Sequence, residues 1–435
     1  MGTVIYGGLT LREDQILYDS GIRIENGFIA GIKPNHQLYC EKGDEVFDCR
    51  DQMLLPGFIN GHEHMYGVFS HGIPAGKETD QFEDFLTDFW WPSVEDRMDH
   101  RLIEVAAAWA CIEMIDSGIT AFADILEGPF SIPGALEAEK RIVEKAGLRA
   151  LLSFEACERI SQSNGEQGIL ENTSFSDACS ESDLIKGMSS IHTLFTCSPE
   201  FVRKAKQMAD THHSLFHMHL SESDYEPQWV RKEYGLTPVE VYEEWGILDQ
   251  NVLASQVVAV SDKEIDILAR HHVHVVSMPI SNCEVGGGFA PLDKMLKAGM
   301  QVGLGTDGYI NNFFEVMRAA FLVHKANNKS PAVMPAKSVY KMATSMGSSA
   351  CGFQSGILEV GRPADLITVK LDTPTPVVPE NLYDQIILYR NPQDVVNVFV
   401  QGKCLKKHGE IVSLNKQKCL SDLRHATTEF WKKGG

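Results

Sequence analysis

From about residue 56 to residue 361 the chain alternates short apolar runs with amphipathic segments of helical length, and this alternation restricts the fold more than any other feature. The runs include TAFADI (120–125), RALLSF (149–154), LFHMHL (215–220), VHVVSM (273–278) and QVGLGTDG (301–308). Between them lie stretches such as HRLIEVAAAWACIEMI (100–115) and DKEIDILAR (262–270). A strand that is apolar throughout must be covered on both faces, and a parallel sheet wrapped by its own crossover helices does this. Eight strand–helix units over about 300 residues suit a closed ring. The predicted fold class is therefore α/β, a (β/α)8 TIM-like barrel.

The two ends of the chain read differently. Residues 1–55 carry short β-like runs, TVIYGG, GIRIEN and FIAGIKP, with Asn26-Gly27 as a hairpin signal between the last two. After residue 362 the pattern is β-like again, in ADLITVKL and VVNVFVQGKCL, with a turn at His408-Gly409. We expect 1–55 and 362–415 to build one small composite β-sandwich domain around a barrel spanning 56–361. Residues 416–435 are expected to add a C-terminal helix. A length of 435 residues accommodates a large barrel with such a partner.

Charge and composition narrow the function. Lys+Arg is 39 and Asp+Glu is 59, so the net charge is −20. Such a surface repels nucleic acid and anionic lipid. No run of about 18 apolar residues predicts a membrane span, and the N-terminus has no basic-then-apolar leader pattern. Gly2 only weakly resembles a myristoylation start, and the sequence runs straight into a strand. The 10 cysteines show no C-x-x-C pair and read as reduced thiols of a cytoplasmic protein.

Four pieces carry chemistry. In LLPGFINGHEHM, His62 and His64 are two apart on a strand, so both imidazoles point the same way and can reach one ion. Taken alone, either could be a surface histidine. In FHMHLSES, His217 and His219 again share a face, and Glu222 follows as a carboxylate suited to carrying a proton. Its other reading is a helix cap, a role that Ser221, Ser223 or Asp224 could also fill. In VGLGTDG, Asp307 ends an apolar strand or simply makes a turn before Gly308. His192, in SSIHTLFTCSPE, is a ligand or a hydrogen-bonded core histidine. Each piece ends a different predicted strand, and in a barrel those ends converge on the face where chemistry occurs. Three imidazoles and a carboxylate suit Zn²⁺, Fe²⁺ or Mn²⁺.

On the motifs PGFINGHEH (56–64), HMHLSE (217–222), PISNCEVGGGFAP (279–291), LGTDG (304–308) and EVGRPADLITV (359–369), the chain resembles the amidohydrolase superfamily. The resemblance is to its branch of cytosine and guanine deaminases, triazine hydrolases and adenosine-type deaminases. FWWP (89–92), FFEVMRAAFLVHK (313–325) and DTPTPVVPENL (372–382) bring it nearest to the aminohydrolases called SsnA-like. The resemblance implies that His62, His64, His219 and Asp307 hold one divalent metal, zinc before iron or manganese. It implies that Glu222 shuttles protons, that His192 contacts substrate, and that the enzyme is a homodimer. No lysine lies in the predicted fourth strand (190–197) to bridge a second ion.

The chain departs from that pattern on the sixth strand. In VLASQVVAVSDKE (252–264), Gln256 occupies the place of the family's histidine, and Ser277 replaces another in VVSMP. Glutamine can donate a hydrogen bond but cannot carry a proton. Gln256 is therefore expected to hydrogen-bond the attacking oxygen, or the chemistry has changed. His271, His272 and His274 are nearby substitutes, although the first two fall at a helix end. The loop 66–95, with Phe69, Phe85, Phe89, Trp90 and Trp91, either walls a flat heterocycle or packs against the barrel.

The expected activity is hydrolytic deamination of a small N-heterocycle of purine, pterin, pyrimidine or triazine type, releasing ammonia. Ring opening of a cyclic amide and dehalogenation use the same site, and only the product separates them. The other class of reading is a weakened barrel kept for binding, motivated by Gln256.

Overall fold

The computed structural model describes residues 2–12, 14–74 and 81–432. Residues 75–80 of the expected substrate loop and 433–435 of the expected terminal helix lie outside the described residues. The chain opens with β1 (Thr3–Arg12), β2 (Gln15–Tyr18), β3 (Ser20–Glu25), β4 (Phe28–Pro34) and β5 (Glu45–Pro56). Next come β6 (Phe58–Glu63), β7 (Ile119–Leu126), β8 (Arg149–Ala156), β9 (Ile185–Gly187) and β10 (Ser189–Ile191). They are followed by β11 (Phe216–Leu220), β12 (Val252–Gln256), β13 (His274–Ser277) and β14 (Val302–Leu304). The last strands are β15 (Leu366–Lys370), β16 (Val395–Val400), β17 (Lys403–Lys407) and β18 (Glu410–Ile411).

Strands β6 to β14 pair in parallel in the order β10-β11-β12-β13-β14-β6-β7-β8-β9, and β8 also pairs with β10, which closes the ring. β9 and β10 flank Met188 and form one interrupted stave, so the barrel has eight. Helices between the staves cover its outside, as the alternating pattern requires. The helix His100–Ser117 starts where the Asp99 side chain accepts from Leu102 N and stops at Gly118, whose φ of 88° suits glycine. Asp262–Arg270 starts with a reciprocal capping box between Ser261 and Glu264. Most apolar residues buried between staves and helices form one large cluster.

The two chain ends meet in a second sheet, ordered β18-β17-β16-β15-β5-β1-β3-β4, with β2 on β1. The Asn26-Gly27 signal is a two-residue turn with φ of 52° and 86°, and Glu25 pairs with Phe28 across it. His408-Gly409 does the same between β17 and β18. β5 runs almost directly into the first stave, β6, through Gly57, where any Cβ would collide with Thr120. The sheet and the barrel therefore share one continuous segment.

A buried ion pair also joins them. Arg149, at the start of β8, places Nε 2.8 Å and Nη2 3.3 Å from the two oxygens of Asp365, just before β15. Asp365 also accepts from the Gln401 backbone N–H at 2.7 Å. Removing one partner would leave a buried guanidinium uncompensated, so Asp365→Ala is expected to cost about 3–5 kcal/mol. Urea unfolding at neutral pH measures this, and a loss below about 1 kcal/mol would mean that solvent reaches the pair. Among the described residues, no helix is long and apolar enough to cross a membrane. The helix Lys416–Lys432 lies against His100–Ser117 and reaches Phe69. Its Phe430 ring stacks on Phe69 at 5.0 Å, and Trp431 Nε1 donates to Phe69 O at 2.8 Å.

Candidate metal centre and active site

The site forms where the staves end. His62 lies in β6 and His64 one residue beyond it, so their rings turn to the same face. His219 is in β11, and Asp307 lies three residues past β14. The His62 and His64 Nε2 atoms are 3.2 Å apart, and both approach Asp307 Oδ1, at 2.9 and 3.4 Å. One ligand atom from each of His62, His64, His219 and Asp307 falls within 4.8 Å of the other three.

Two strands must be locked side by side to achieve this. Beneath the cluster, Asn60 donates to the Glu63 carboxylate and to Thr306, both at 2.7 Å, and the Thr306 hydroxyl donates to the same carboxylate. The backbone N–H groups of Thr306 and Asp307 donate to His62 O. Asp307 itself has φ of 63°, a left-handed conformation, and the Gly308 that follows fits against His64 only without a Cβ. Asn60, Glu63 and Thr306 sit inside the motifs that carry the ligands, but their spacing gave no sign of this bracing.

The protonation states suit a cation. Burial holds His62, His64 and His219 below the usual imidazole range, the latter two at about 4. They are therefore neutral at pH 7, the form in which an imidazole can offer a lone pair to a metal. His64 Nδ1 lies 2.7 Å from Ile125 O. A carbonyl only accepts, so the proton is on Nδ1 and the Nε2 lone pair faces the cluster. Burial would raise Asp307, but its hydrogen bonds outweigh this and hold it well below the usual carboxylate range. Asp307 Oδ1 is buried with no hydrogen-bond donor, whereas Oδ2 accepts from Gln256 and Ser281. Neutral lone pairs converging on an ionised oxygen form a donor set that fits a divalent metal.

A cavity of about 820 Å³ opens over this cluster. His64, His192, His219, Glu222, Gln256 and Asp307 all line it. Burial, reinforced by the Asp307 and Glu155 carboxylates, pushes Glu222 well above the usual carboxylate range. Gln256 ends β12 at φ 73°, and Val257 follows at 51°, strained for a β-branched residue. Gln256 Nε2 lies 3.3 Å from Asp307 Oδ2, and its carbonyl accepts from Asn282 Nδ2. A carboxylate accepts only, so this chain fixes the amide's orientation: Asn282 donates to Gln256, which donates to Asp307. Ser281 and Asn282 were not singled out from the sequence, although both lie in the PISNC motif.

His192 follows β10, with Nδ1 2.9 Å from Thr196 Oγ1. Trp90 lines the cavity beside Phe85 and Phe89. Trp91 turns away from it, edge-on to His192 at 6.1 Å and beneath the Arg159 guanidinium at 4.9 Å. Phe69 is buried under the terminal helix. His217 stacks on His62 at 5.2 Å and pairs with Ser190, outside the ligand cluster. His271 pairs with Glu243 at a helix end, and His274 opens β13 at the opposite end of the barrel. Among the buried carboxyls that the sequence reading did not single out are Glu95, bound to Arg159 at 2.8 Å, and Glu155, at the end of β8. Burial pushes both up to about 8.

The chain is similar to known proteins in sequence and in fold. The chain is 33% identical over 424 residues to a 5'-deoxyadenosine deaminase of Methanosarcina barkeri, covering 95% of this chain and 94% of that one. It is 32% identical over 411 residues to a 5-methylthioadenosine/S-adenosylhomocysteine deaminase of Thermococcus sibiricus, covering 93% of each. The fold matches the crystal structure of an adenosine deaminase from Xanthomonas campestris with bound zinc. That match has a TM-score of 0.90 and 21% identity over 98% of both chains. The sequence profile of the amidohydrolase family matches residues 53–405, and the chain belongs to that family.

Proposed function

We propose that the protein hydrolytically deaminates the amino-bearing ring carbon of an adenosine-type heterocycle, with His62, His64, His219 and Asp307 holding one zinc ion. The observation that carries this reading is Glu222 lining the same cavity as His64, His219 and Asp307, three of the four residues whose ligand atoms converge. The deaminase relatives support the substrate class, and the three-imidazole, one-carboxylate set supports zinc.

Deamination adds one water and releases one ammonia, so two protons must move. When bound, the ion supplies a water whose pKa is lowered to about 7. Glu222 is placed to take a proton and return it to the ring nitrogen next to the reacting carbon. Asp307 passes the second to the departing nitrogen. Gln256 Nε2 donates to the oxygen that adds, and its strained backbone and Asn282 contact hold that donor in place. Gln256 carries no proton, so proton movement falls to the two acids. His192 and Trp90 bound the ring, while Trp91 acts by packing against His192. The defined setting of Gln256 argues against a decayed binding barrel.

Ten unpaired cysteines support a cytoplasmic location, and the family resemblance supports a homodimer. The zinc-loaded protein is expected to release ammonia from 5'-deoxyadenosine or 5'-methylthioadenosine, measured by coupled ammonia assay and by the product's absorbance. Guanine, a pterin, cytosine and a chloro-triazine serve as comparisons. Halide from the triazine, or a ring-opened product without ammonia, would replace this reading with the corresponding hydrolysis. No product from any of them, with one ion bound, would end it.

A further inference from the structure

Glu155 lies at the mouth end of β8 with 4% of its surface exposed, and neither carboxyl oxygen has a hydrogen-bond partner. Leaving such a group unsatisfied costs free energy, so a buried one calls for a partner. Oε1 lies 3.6 Å from His219 Nδ1, another buried atom without a partner. It is also 3.7 Å from His192 Nε2. The other ligand imidazoles are served differently. His64 Nδ1 is anchored on Ile125 O, while His62 Nδ1 has no partner.

We infer that Glu155 is a positioning residue that accepts the Nδ1–H of His219 and so commits the Nε2 lone pair of that ring to the metal cluster. This rests on the four-ligand reading above. An unanchored imidazole can carry its proton on either nitrogen, and only one tautomer presents a lone pair at Nε2. Either protonation form of the carboxyl group offers an acceptor oxygen, and closing 3.6 Å to a hydrogen bond takes only a small side-chain rotation. Metal-binding histidines are generally held this way, and losing the outer partner costs about 10–100-fold in metal affinity. The His192 contact places Glu155 between a metal ligand and a cavity-lining ring, so one carboxyl group orients both.

The test is zinc affinity of the full chain by chelator competition, with thermal melting of the metal-free protein alongside. Glu155→Met removes the acceptor at nearly constant volume, and Glu155→Gln keeps one acceptor oxygen. The Met variant is expected to bind zinc about 10–100-fold more weakly, and the Gln variant within a few-fold of native. The metal-free Met variant should melt no lower than metal-free native protein, because Glu155 Oε1 stands 3.6 Å from His219 Nδ1 and neither carboxyl oxygen makes a hydrogen bond that the substitution could remove. Should it fail to fold, Glu155→Ala is read the same way. Zinc affinity within twofold of native in the Met variant overturns the inference. So does a loss matched by a lower metal-free melting temperature, which would mark a structural role. Two ions per native chain, one of them lost in the Met variant, would make Glu155, His192 and His219 a ligand set and also overturn it. A native chain that binds no zinc overturns the four-ligand reading itself.

Discussion

Glu222→Gln is expected to lower the rate of ammonia release by about 10²–10⁴-fold while leaving the bound metal at its native level. The two outcomes belong together. Glu222 lines the cavity but stands outside the group of four converging ligand atoms. Glutamine matches glutamate in size and can still hydrogen-bond, but it cannot take or return a proton. The environment that raises the Glu222 pKa is burial first, then the carboxylates of Asp307, Glu155 and Glu226. A proton held more tightly than on an ordinary carboxyl group suits a residue that must deliver one to a weakly basic ring nitrogen. Steady-state kinetics and elemental analysis on the same preparation decide the matter. Full turnover in the variant with metal bound would remove Glu222 from the proton path. Loss of metal together with activity would make it a ligand.

Asp307→Asn is expected to strip the metal from the chain and reduce turnover to background. Outer partners of metal ligands cost about 10–100-fold in affinity, and losing a charged ligand should cost at least that. Asparagine is the informative substitution because Asp307 sits at φ 63°. Asparagine enters the left-handed region more readily than other non-glycine residues, so the turn should survive. An alanine there would mix backbone strain with the loss of charge. The amide would also place an N–H₂ group where Gln256 and Ser281 now donate, or face its own donor toward the cluster. Zinc content by elemental analysis, with a circular dichroism spectrum to verify folding, reads the result. A variant that kept about one ion per chain would exclude Asp307 as a necessary ligand and leave the three histidines to hold it.

Much of this site is written in short stretches of sequence because its geometry is local. His62 and His64 share a face through the two-residue period of a strand, and that period holds wherever the strand is placed. The barrel could be anticipated for a related reason: apolar runs without alternation must be covered on both sides, and the helices between them are the available cover. Hairpins such as Asn26-Gly27 are local too, since only certain residues accept two successive positive φ values.

Other features depend on residues far apart in the chain. Trp90 and Trp91 are neighbours, yet one lines the cavity and the other packs on His192 and Arg159, because successive side chains of a helical segment point to different sides. Gln256 looked like a loss when read alone. Asn282 and Asp307, 26 and 51 residues away, turn it into an oriented donor. Glu155 belonged to an ordinary apolar strand until ring closure set β8 beside β10 and brought its carboxyl group to His192 and His219.

The sequence by itself determined the staves and helices and the strand ends that carry His62, His64, His219 and Asp307, because period and residue type act at short range. The tertiary structure alone decided which buried polar groups satisfy one another around those ligands. A hydrogen bond depends on distances of a few tenths of an ångström between segments whose approach is set only when the ring closes.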